Sequence, residues 1–330
     1  MTQRIIFLNL ADMEPTGLVQ KSAHNLAQKF VPRTCMQRFT QLIFGDVVVD
    51  VVNLFELLDH RRAAADPLLS LQVRQENRIA YDTQMAQIRE ACRTARKILL
   101  GAHGSHKNTE TLMKGLGWEM GSGHAGTYDE LALMTAEFLV PEQSYKLALI
   151  ICYAARSEQF RKDHEGVLDE TDIKSSLAYK FYKLLCAHTR ANVVMTARTG
   201  AVQFMEDGSS YVETEEGVRA VIELEDLARE LDAPVVRQKY QDMMEHYGQN
   251  GKIKEFYALE EHMSLPHTHA TTEHEKVLKD RWRIDNVSRR KQDILPSRKY
   301  GKFIYRRERD GNVTVYRKYG ELEPLYHGPF

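Results

Sequence analysis

Strand-like and helix-like patterns of apolar and polar positions alternate along the first two hundred residues. Short apolar runs of strand-forming residues occur at 4–10, 46–53, 97–102, 146–151 and 192–196. Between them lie three stretches that are expected to be helical. The first, at 64–96, is polar, charged and rich in Gln, Arg and Ala; the second, at 127–139, has apolar residues at helical spacing; the third is at 172–188. Alternation of this kind is typical of a parallel sheet covered by helices, because strands buried on both faces are almost continuously apolar. We therefore predict an α/β fold with a mostly parallel central sheet.

Local signals place the turns between these elements. Residues 101–126 are rich in glycine, so we expect a long loop there. Thr127 and Glu130 stand at the spacing of a capping box, which indicates that a helix begins at this point. The dipeptide Asp207-Gly208 predicts the turn of a small hairpin after the strand at 192–196.

The pattern changes after residue 214, which suggests three segments. Residues 1–214 form the α/β core, and residues 215–280 are charged and helical in period, as in an insertion or linker. Residues 281–330 are basic and carry a β-hairpin signal, with strands at 302–309 and 312–318 around Asp310-Gly311. We expect this C-terminal segment to pack on the core.

Composition narrows the class of protein. The 330 residues include four cysteines, too few in a chain of this length to suggest a disulfide framework, so we expect reduced thiols. No apolar run approaches 18 residues, so no transmembrane segment is expected. The N-terminus starts with a strand-like segment and lacks the pattern of a Sec signal peptide.

Charge is distributed unevenly, although the net charge of the chain is only −1. Residues 281–318 contain 13 Lys or Arg against 4 Asp or Glu, so the rest of the chain is acidic. Such asymmetry indicates a basic surface for a polyanion. The alternatives are a solvated edge hairpin whose charges deter aggregation, and a nucleic-acid site, which we do not expect.

A histidine and a cysteine end two of the apolar runs. His103 follows the run at 97–102, and Cys152 follows the run at 146–151. Because ligands and chemistry gather beyond the carboxyl ends of parallel strands, the two side chains are expected to form a base and a thiol nucleophile. The backbone N–H groups of Gly104 and Cys152 are candidate oxyanion donors. The alternative is a buried strand cysteine and an unrelated loop histidine.

Two weaker sequence signals bear on a metal site and a phosphate-binding loop, and neither site is expected. The histidines between residues 262 and 274 lack the Cys or carboxylate spacing that would complete a tetrahedral site, so we expect no metal. The glycines between residues 115 and 126 are not followed by a Walker Lys-Ser/Thr, so a phosphate-binding loop is not expected there.

Residues 95–214 resemble clan CD cysteine peptidases, in which one apolar strand ends in His-Gly and another ends in Cys. Within that clan the chain is most similar to the inositol-hexakisphosphate-activated peptidase domain of MARTX and large clostridial toxins. The supporting segments, in chain order, are His103-Gly104, 127–132, 149–152, 193–198 and 201–210. The resemblance implies a caspase-like fold, a Cys-His dyad, cleavage after a small or apolar residue, and activation by inositol hexakisphosphate.

The same resemblance implies a polyphosphate site on a basic C-terminal β-flap. The hairpin region supplies the candidates Lys302, Arg306, Arg307, Arg309, Arg317 and Lys318, with Arg298 and Lys299 just upstream and Arg198 at the end of a core strand. Guanidinium groups suit phosphate well, but strand alternation lets at most half of the hairpin charges meet one ligand.

Together these features predict a cysteine endopeptidase that cleaves a host protein or itself. Inositol hexakisphosphate is a ligand of the eukaryotic cytosol, so the resemblance implies a secreted bacterial effector that acts in the host cytosol. Two alternatives stay open. One is a clan CD peptidase without polyphosphate control; the other is a non-catalytic polyanion-binding module on a degenerate peptidase fold.

Overall fold

The structure, a computed structural model, describes ten stretches of the chain: residues 3–10, 24–26, 47–105, 108–113, 124–157, 170–200, 202–204, 209–213, 294–296 and 301–330. The strands are β1 (Gln3–Asn9), β2 (Val47–Asn53), β3 (Ala95–Ser105), β4 (Asn108–Met113), β5 (His124–Thr127), β6 (Ser144–Ile151), β7 (Asn192–Arg198), β8 (Val202–Phe204), β9 (Ser210–Glu213), β10 (Ile294–Pro296), β11 (Lys302–Arg307), β12 (Val313–Tyr319) and β13 (Glu321–Gly328). The helices are α1 (Leu54–Ala65), α2 (Leu71–Thr94), α3 (Tyr128–Phe138), α4 (Glu170–Ser175) and α5 (Leu177–His188).

The main sheet has a parallel centre and an antiparallel edge. Strands β2, β1, β3, β6 and β7 lie side by side in that order, and each pairs with its neighbour in parallel. Strands β11, β12 and β13 then extend the sheet beyond β7 by antiparallel pairing. The prediction of an α/β fold with a mostly parallel, helix-flanked sheet is confirmed.

The two faces of this sheet differ in character. Residues from all five helices join one large apolar cluster with one face of the sheet, where Ile98, Leu149 and Met195 are buried. The opposite face carries a smaller cluster of Ile5, Phe7, Leu26 and Leu99. Burial on both faces explains the continuous apolar runs of the central strands.

Helix α5 shows how sequence and tertiary contacts combine. Ser176 takes an extended conformation, and its hydroxyl accepts a hydrogen bond from the Tyr179 N–H at 3.3 Å, which starts the helix. The buried Tyr182 hydroxyl donates to the Val193 carbonyl at 2.7 Å and accepts from the Arg307 N–H at 2.8 Å. Tyr182 therefore ties α5 to both β7 and the C-terminal strands.

Three local predictions need correction. The helix expected at 64–96 begins only at Leu71, as α2, and a separate helix α1 ends at Ala65. The two helices are separate because Pro67 disfavours a helical conformation at Asp66, where the backbone is extended. The helix expected at 172–188 is divided at Ser176, which caps α5 instead of continuing α4. Part of the loop expected at 101–126 is strand, since β4 pairs with β3 and β5.

Several predictions lie outside the described residues. They include the helical segment at 215–280, the turn at Asp207-Gly208 and the histidines between 262 and 274. Within the described part of the chain, no helix is both long and apolar enough to cross a bilayer.

The predicted capping box at the start of α3 is present and extends into an ion pair. The Thr127 N–H donates to the Glu130 carboxylate at 3.1 Å. Arg62 of α1 contacts the same carboxylate twice, from Nε at 3.1 Å and from a terminal nitrogen at 2.7 Å. The hydrogen bond from Arg62 is the main reason that the pKa of Glu130 is lowered.

We expect Glu130→Gln to lower the free energy of unfolding at pH 7 by about 1–2 kcal/mol, since it weakens both the cap and the ion pair. A lowered carboxylate pKa stabilises the fold above the unfolded value, near 4.5, and this contribution is lost as the pH falls through the folded value. The difference between variant and parent should therefore shrink below pH 4.5, as measured by urea unfolding.

Glu90→Gln is the matched control, because Glu90 pairs with Arg93 at 2.8 Å on an exposed face of α2. Its effect should stay below about 0.5 kcal/mol. Equal losses in the two variants would contradict a special role for Glu130.

Candidate active site and cation cluster

The parallel register of β3 and β6 brings the two predicted reactive residues to adjacent positions. Ala102 of β3 is paired with Ile151 of β6. His103 and Cys152 are the next residues on the two strands, so their backbones continue the same register at the carboxyl end of the sheet. His103 is also the position at which β3 pairs with β4, opposite Met113.

Gly104 lies directly against the backbone of Cys152. A Cβ atom added to Gly104 would stand 2.2 Å from the Cys152 carbonyl oxygen and 2.6 Å from Cγ2 of Ile151. No side chain fits in that space, so glycine is required for this approach. The two candidate oxyanion donors, the N–H groups of Gly104 and Cys152, therefore belong to segments in direct contact.

Cys152 differs from the other described cysteines in its exposure. Its side chain is half-buried, whereas Cys92 and Cys186 are buried. Burial raises the pKa of Cys92 to about 12 and that of Cys186 to about 11, which keeps both thiols protonated and inert. Among the cysteines that the structure describes, Cys152 is thus the one suited to act as a nucleophile.

The turn after Cys152 is tight and strained. Tyr153 has a φ of 58°, in the left-handed region that costs a non-glycine residue about 1 kcal/mol. Its N–H donates to the Gly200 carbonyl at 3.3 Å, and the Ala155 N–H donates to the Arg198 carbonyl at 2.9 Å. The end of β7 therefore holds the turn that follows the candidate nucleophile.

A second candidate site lies on the sheet face that carries the smaller apolar cluster. Lys97 pairs with Lys146 across β3 and β6. Lys302 of β11 pairs with Arg198 on one side and with Lys318 on the other. Strand alternation places all of them on the same face. We call this set the cation cluster: Lys97, Lys146, Arg198, Lys302 and Lys318.

Burial and neighbouring cations disfavour the charged form of Lys302 in the cation cluster. Burial is the main cause that lowers the pKa of Lys302 to about 8, and the other four cations add to it. Burial also lowers the pKa of Arg198 to about 10, and its buried Nε has no hydrogen-bond partner among the residues that the structure describes. Neither Arg198 nor Lys302 forms an ion pair with a carboxylate in the described part of the chain. Guanidinium and ammonium groups arranged in this way could hold an anion.

The remaining predicted polyphosphate residues occupy several different places. Arg306 shares the face of the cluster and lies 6.0 Å from the centre of the Tyr316 ring. Arg307 and Arg317 are on the opposite face, where Arg307 donates to the Cys186 carbonyl at 2.7 Å and Arg317 pairs with Glu323 at 2.8 Å. Arg309 is exposed in the turn between β11 and β12. Arg298 and Lys299 lie outside the described residues.

Lys97 and Lys146 were not among the residues predicted from the sequence. Each precedes an apolar run, at 98–100 and at 147–151. The two lysines hold equivalent positions on strands that were expected to be neighbours, and this equivalence could have revealed them.

No family model matches the chain, and no curated protein matches it. Among the described residues, no group of three or more His, Cys, Asp or Glu side chains is placed to hold a metal ion.

Gly104→Ala should separate the end of β3 from Cys152. The new methyl group meets a backbone carbonyl that cannot rotate away, so we expect a loss of about 1–3 kcal/mol of stability, as for overpacked cores. The rate at which iodoacetamide alkylates Cys152 should change in the same variant, measured by mass spectrometry of the Cys152 peptide.

Gly311→Ala is the control for strain away from the site. Gly311 has a φ of 85° and open space around it, so the variant should lose about 1 kcal/mol with no change in Cys152 alkylation. A Gly104→Ala protein with unaltered stability and alkylation would contradict the contact.

Lys302→Met should stabilise the ligand-free protein at pH 7, by about 0.5–1 kcal/mol for the loss of a half-exposed like-charge contact. A lysine with a lowered pKa destabilises the fold below its folded value, near 8, and this penalty disappears as the pH rises to 10.5. The stability of the parent should therefore approach that of the variant between pH 8 and 10.5, as followed by urea unfolding. Arg309→Met, in the exposed turn, should show no such pH-dependent gain.

Proposed function

We propose that the chain is a cysteine endopeptidase with a Cys152–His103 dyad, activated by inositol hexakisphosphate bound at the cation cluster. The observation that carries the proposal is the contact of Gly104 with the Cys152 carbonyl, because it joins the two strand ends that supply the dyad. The half-buried thiol of Cys152 and the cation cluster support it.

In the proposed reaction, the Cys152 sulfur attacks the carbonyl carbon of the scissile peptide bond. The thiol proton passes to His103, which later protonates the leaving amine as the C–N bond breaks. A water molecule then hydrolyses the thioester, with His103 as the base, and releases the carboxylic acid and the free thiol. The N–H groups of Gly104 and Cys152 are assigned to the oxyanion, where one well-placed donor contributes roughly 3 kcal/mol.

The assignment of a polyphosphate to the cation cluster rests on charge and geometry. One row of cations lies on β3 and β6 and consists of Lys97 and Lys146. The other row lies on β7, β11 and β12 and consists of Arg198, Lys302 and Lys318, and both rows face the same side of the sheet. Burial is the main cause of the lowered pKa of Lys302, and an anion bound there would offset the repulsion by the four neighbouring cations that adds to it. A compact ligand with several phosphates can meet both rows, which a single carboxylate cannot.

The wider biological setting is part of the proposal and follows from the family resemblance. It comprises a caspase-like core, a C-terminal β-flap formed by β11 and β12, and a secreted bacterial effector that works in the host cytosol. The substrate is a host protein or the chain itself.

One alternative is favoured by a specific observation. The cation cluster is built from residues that need no thiol chemistry, so a polyanion-binding module without peptidase activity would use the same surface. The behaviour of the Cys152 variant separates the two functions.

The test is product mapping by mass spectrometry with and without inositol hexakisphosphate. The parent protein should cleave itself or an added protein substrate only when the ligand is present, and Cys152→Ala should cleave neither. The double variant Lys302→Met/Lys318→Met should require at least about tenfold more ligand, since charge-assisted contacts are lost. Arg309→Met is the matched control, and its ligand requirement should stay within about twofold of the parent.

Each outcome bears on a different part of the proposal. Cleavage that persists in Cys152→Ala excludes the dyad. Equal cleavage with and without inositol hexakisphosphate excludes the switch and leaves a peptidase. Ligand binding without any cleavage by the parent protein supports the binding module instead.

A further inference from the structure

Three consecutive carbonyl groups at the end of β7 hold the turn that follows Cys152. The Arg198 carbonyl accepts from the Ala155 N–H at 2.9 Å, and the Gly200 carbonyl accepts from the Tyr153 N–H at 3.3 Å. Between them, the Thr199 carbonyl accepts from Nε of Arg156 at 3.0 Å. The turn is therefore bound to β7 by two backbone hydrogen bonds and one arginine side chain.

Arg156 is buried to an unusual degree for a charged residue. It is 1% exposed, and its partner Thr199 is fully buried. Its own N–H donates to the Tyr153 carbonyl at 2.9 Å, so the same residue also closes the turn. A buried charged side chain is retained only where its hydrogen bonds are made, and here one of them joins the Cys152 turn to β7.

The other side of the turn is fixed to the helical layer. The Ala154 carbonyl accepts from the Ala178 N–H of α5 at 2.8 Å, and α5 is buried in the main core. If the end of β7 shifts, the turn around Tyr153 must therefore change its conformation, because α5 holds the other side of the turn in place.

The same end of β7 belongs to the cation cluster. Arg198 contributes its side chain to the cluster and its carbonyl to the Cys152 turn. The Thr199 N–H donates to the Gly301 carbonyl at 3.4 Å, just before Lys302. Residues 198–200 thus contact the candidate nucleophile's turn on one side and the basic strands on the other.

We infer that Arg156 is a positioning residue for Cys152 and that residues 198–200 transmit occupancy of the cation cluster to the Cys152 turn. The inference rests on the proposed function and specifies how that site is regulated. Polyanion binding would favour one position of Arg198, and the three hydrogen bonds would order Tyr153 and Cys152 accordingly, which is a population shift.

Arg156→Met tests the role of the side chain. The variant should bind inositol hexakisphosphate with an affinity within about twofold of the parent, because Arg156 is outside the cluster. The ligand-induced gain in activity should fall by about tenfold or more, since a hydrogen bond from a buried charge is lost. Activity is measured as kcat, and affinity by calorimetry.

The pH profile of Cys152 alkylation distinguishes positioning from mere stabilisation. In the parent protein, inositol hexakisphosphate should shift the profile of iodoacetamide alkylation at Cys152, and in Arg156→Met this shift should be absent. Arg156→Lys, which can still donate to the Thr199 carbonyl, should restore part of it. A variant that only lost stability would keep the ligand-dependent shift at temperatures where it remains folded.

Hydrogen exchange in the parent protein tests the link without any variant. Inositol hexakisphosphate should slow exchange in the peptide that contains the Tyr153 and Ala155 amides, and leave the amides of α1 and α2 unchanged. This measurement also decides the question if Arg156→Met does not fold.

The outcomes separate this inference from the proposed function. A parent protein that neither binds nor responds to inositol hexakisphosphate overturns the proposed switch itself. A parent that is activated normally, but shows no added protection at Tyr153 and Ala155, overturns the inference alone. Full activation of folded Arg156→Met has the same meaning.

Discussion

The contact between Gly104 and the Cys152 carbonyl is the constraint on which the candidate site depends. It requires that β3 and β6 stay parallel neighbours in one register, with Ala102 opposite Ile151. A shift by one residue would move every side chain to the other face of the sheet and place Lys97 in the main core. The same register therefore determines the strand-end pair and the face on which two of the cluster lysines lie.

The cation cluster opposes the stability of the fold that contains it. Burial lowers the pKa of Lys302, and the four neighbouring cations add to this effect, so a proton held there costs stability. The sheet tolerates them because the pairing of β7, β11 and β12 buries Ala197, Phe303 and Val315 on the helical face. Apolar burial on one face thus offsets repulsion on the other, and a bound anion would remove that repulsion.

The sequence predicts the central strands well because a strand buried on both faces needs a continuous apolar run, and His103 and Cys152 follow from the ends of those runs. Lys97 and Lys146 can be assigned to one site only when the register of β3 and β6 is known, and the local sequence pattern does not give that register. Strand β13 was missed because it contains Pro324 and its first four residues are exposed, so it lacks an apolar run. The break at Ser176 was missed because the local sequence pattern fits one continuous helix as well as two helices separated by a cap.

Strand β7 is the element that would link the two candidate sites in the proposed switch. It separates β6, which leads to Cys152, from β11, which carries Lys302, and no other described strand touches both. A ligand on the C-terminal strands can therefore reach the thiol through the sheet only by way of β7. The end of β7 contacts both sites. The side chain of Arg198 belongs to the cation cluster, and the carbonyl groups of residues 198–200 accept hydrogen bonds from the Cys152 turn. Coupling of this kind would need movement only at the end of β7, while the other strands of the parallel core keep their places.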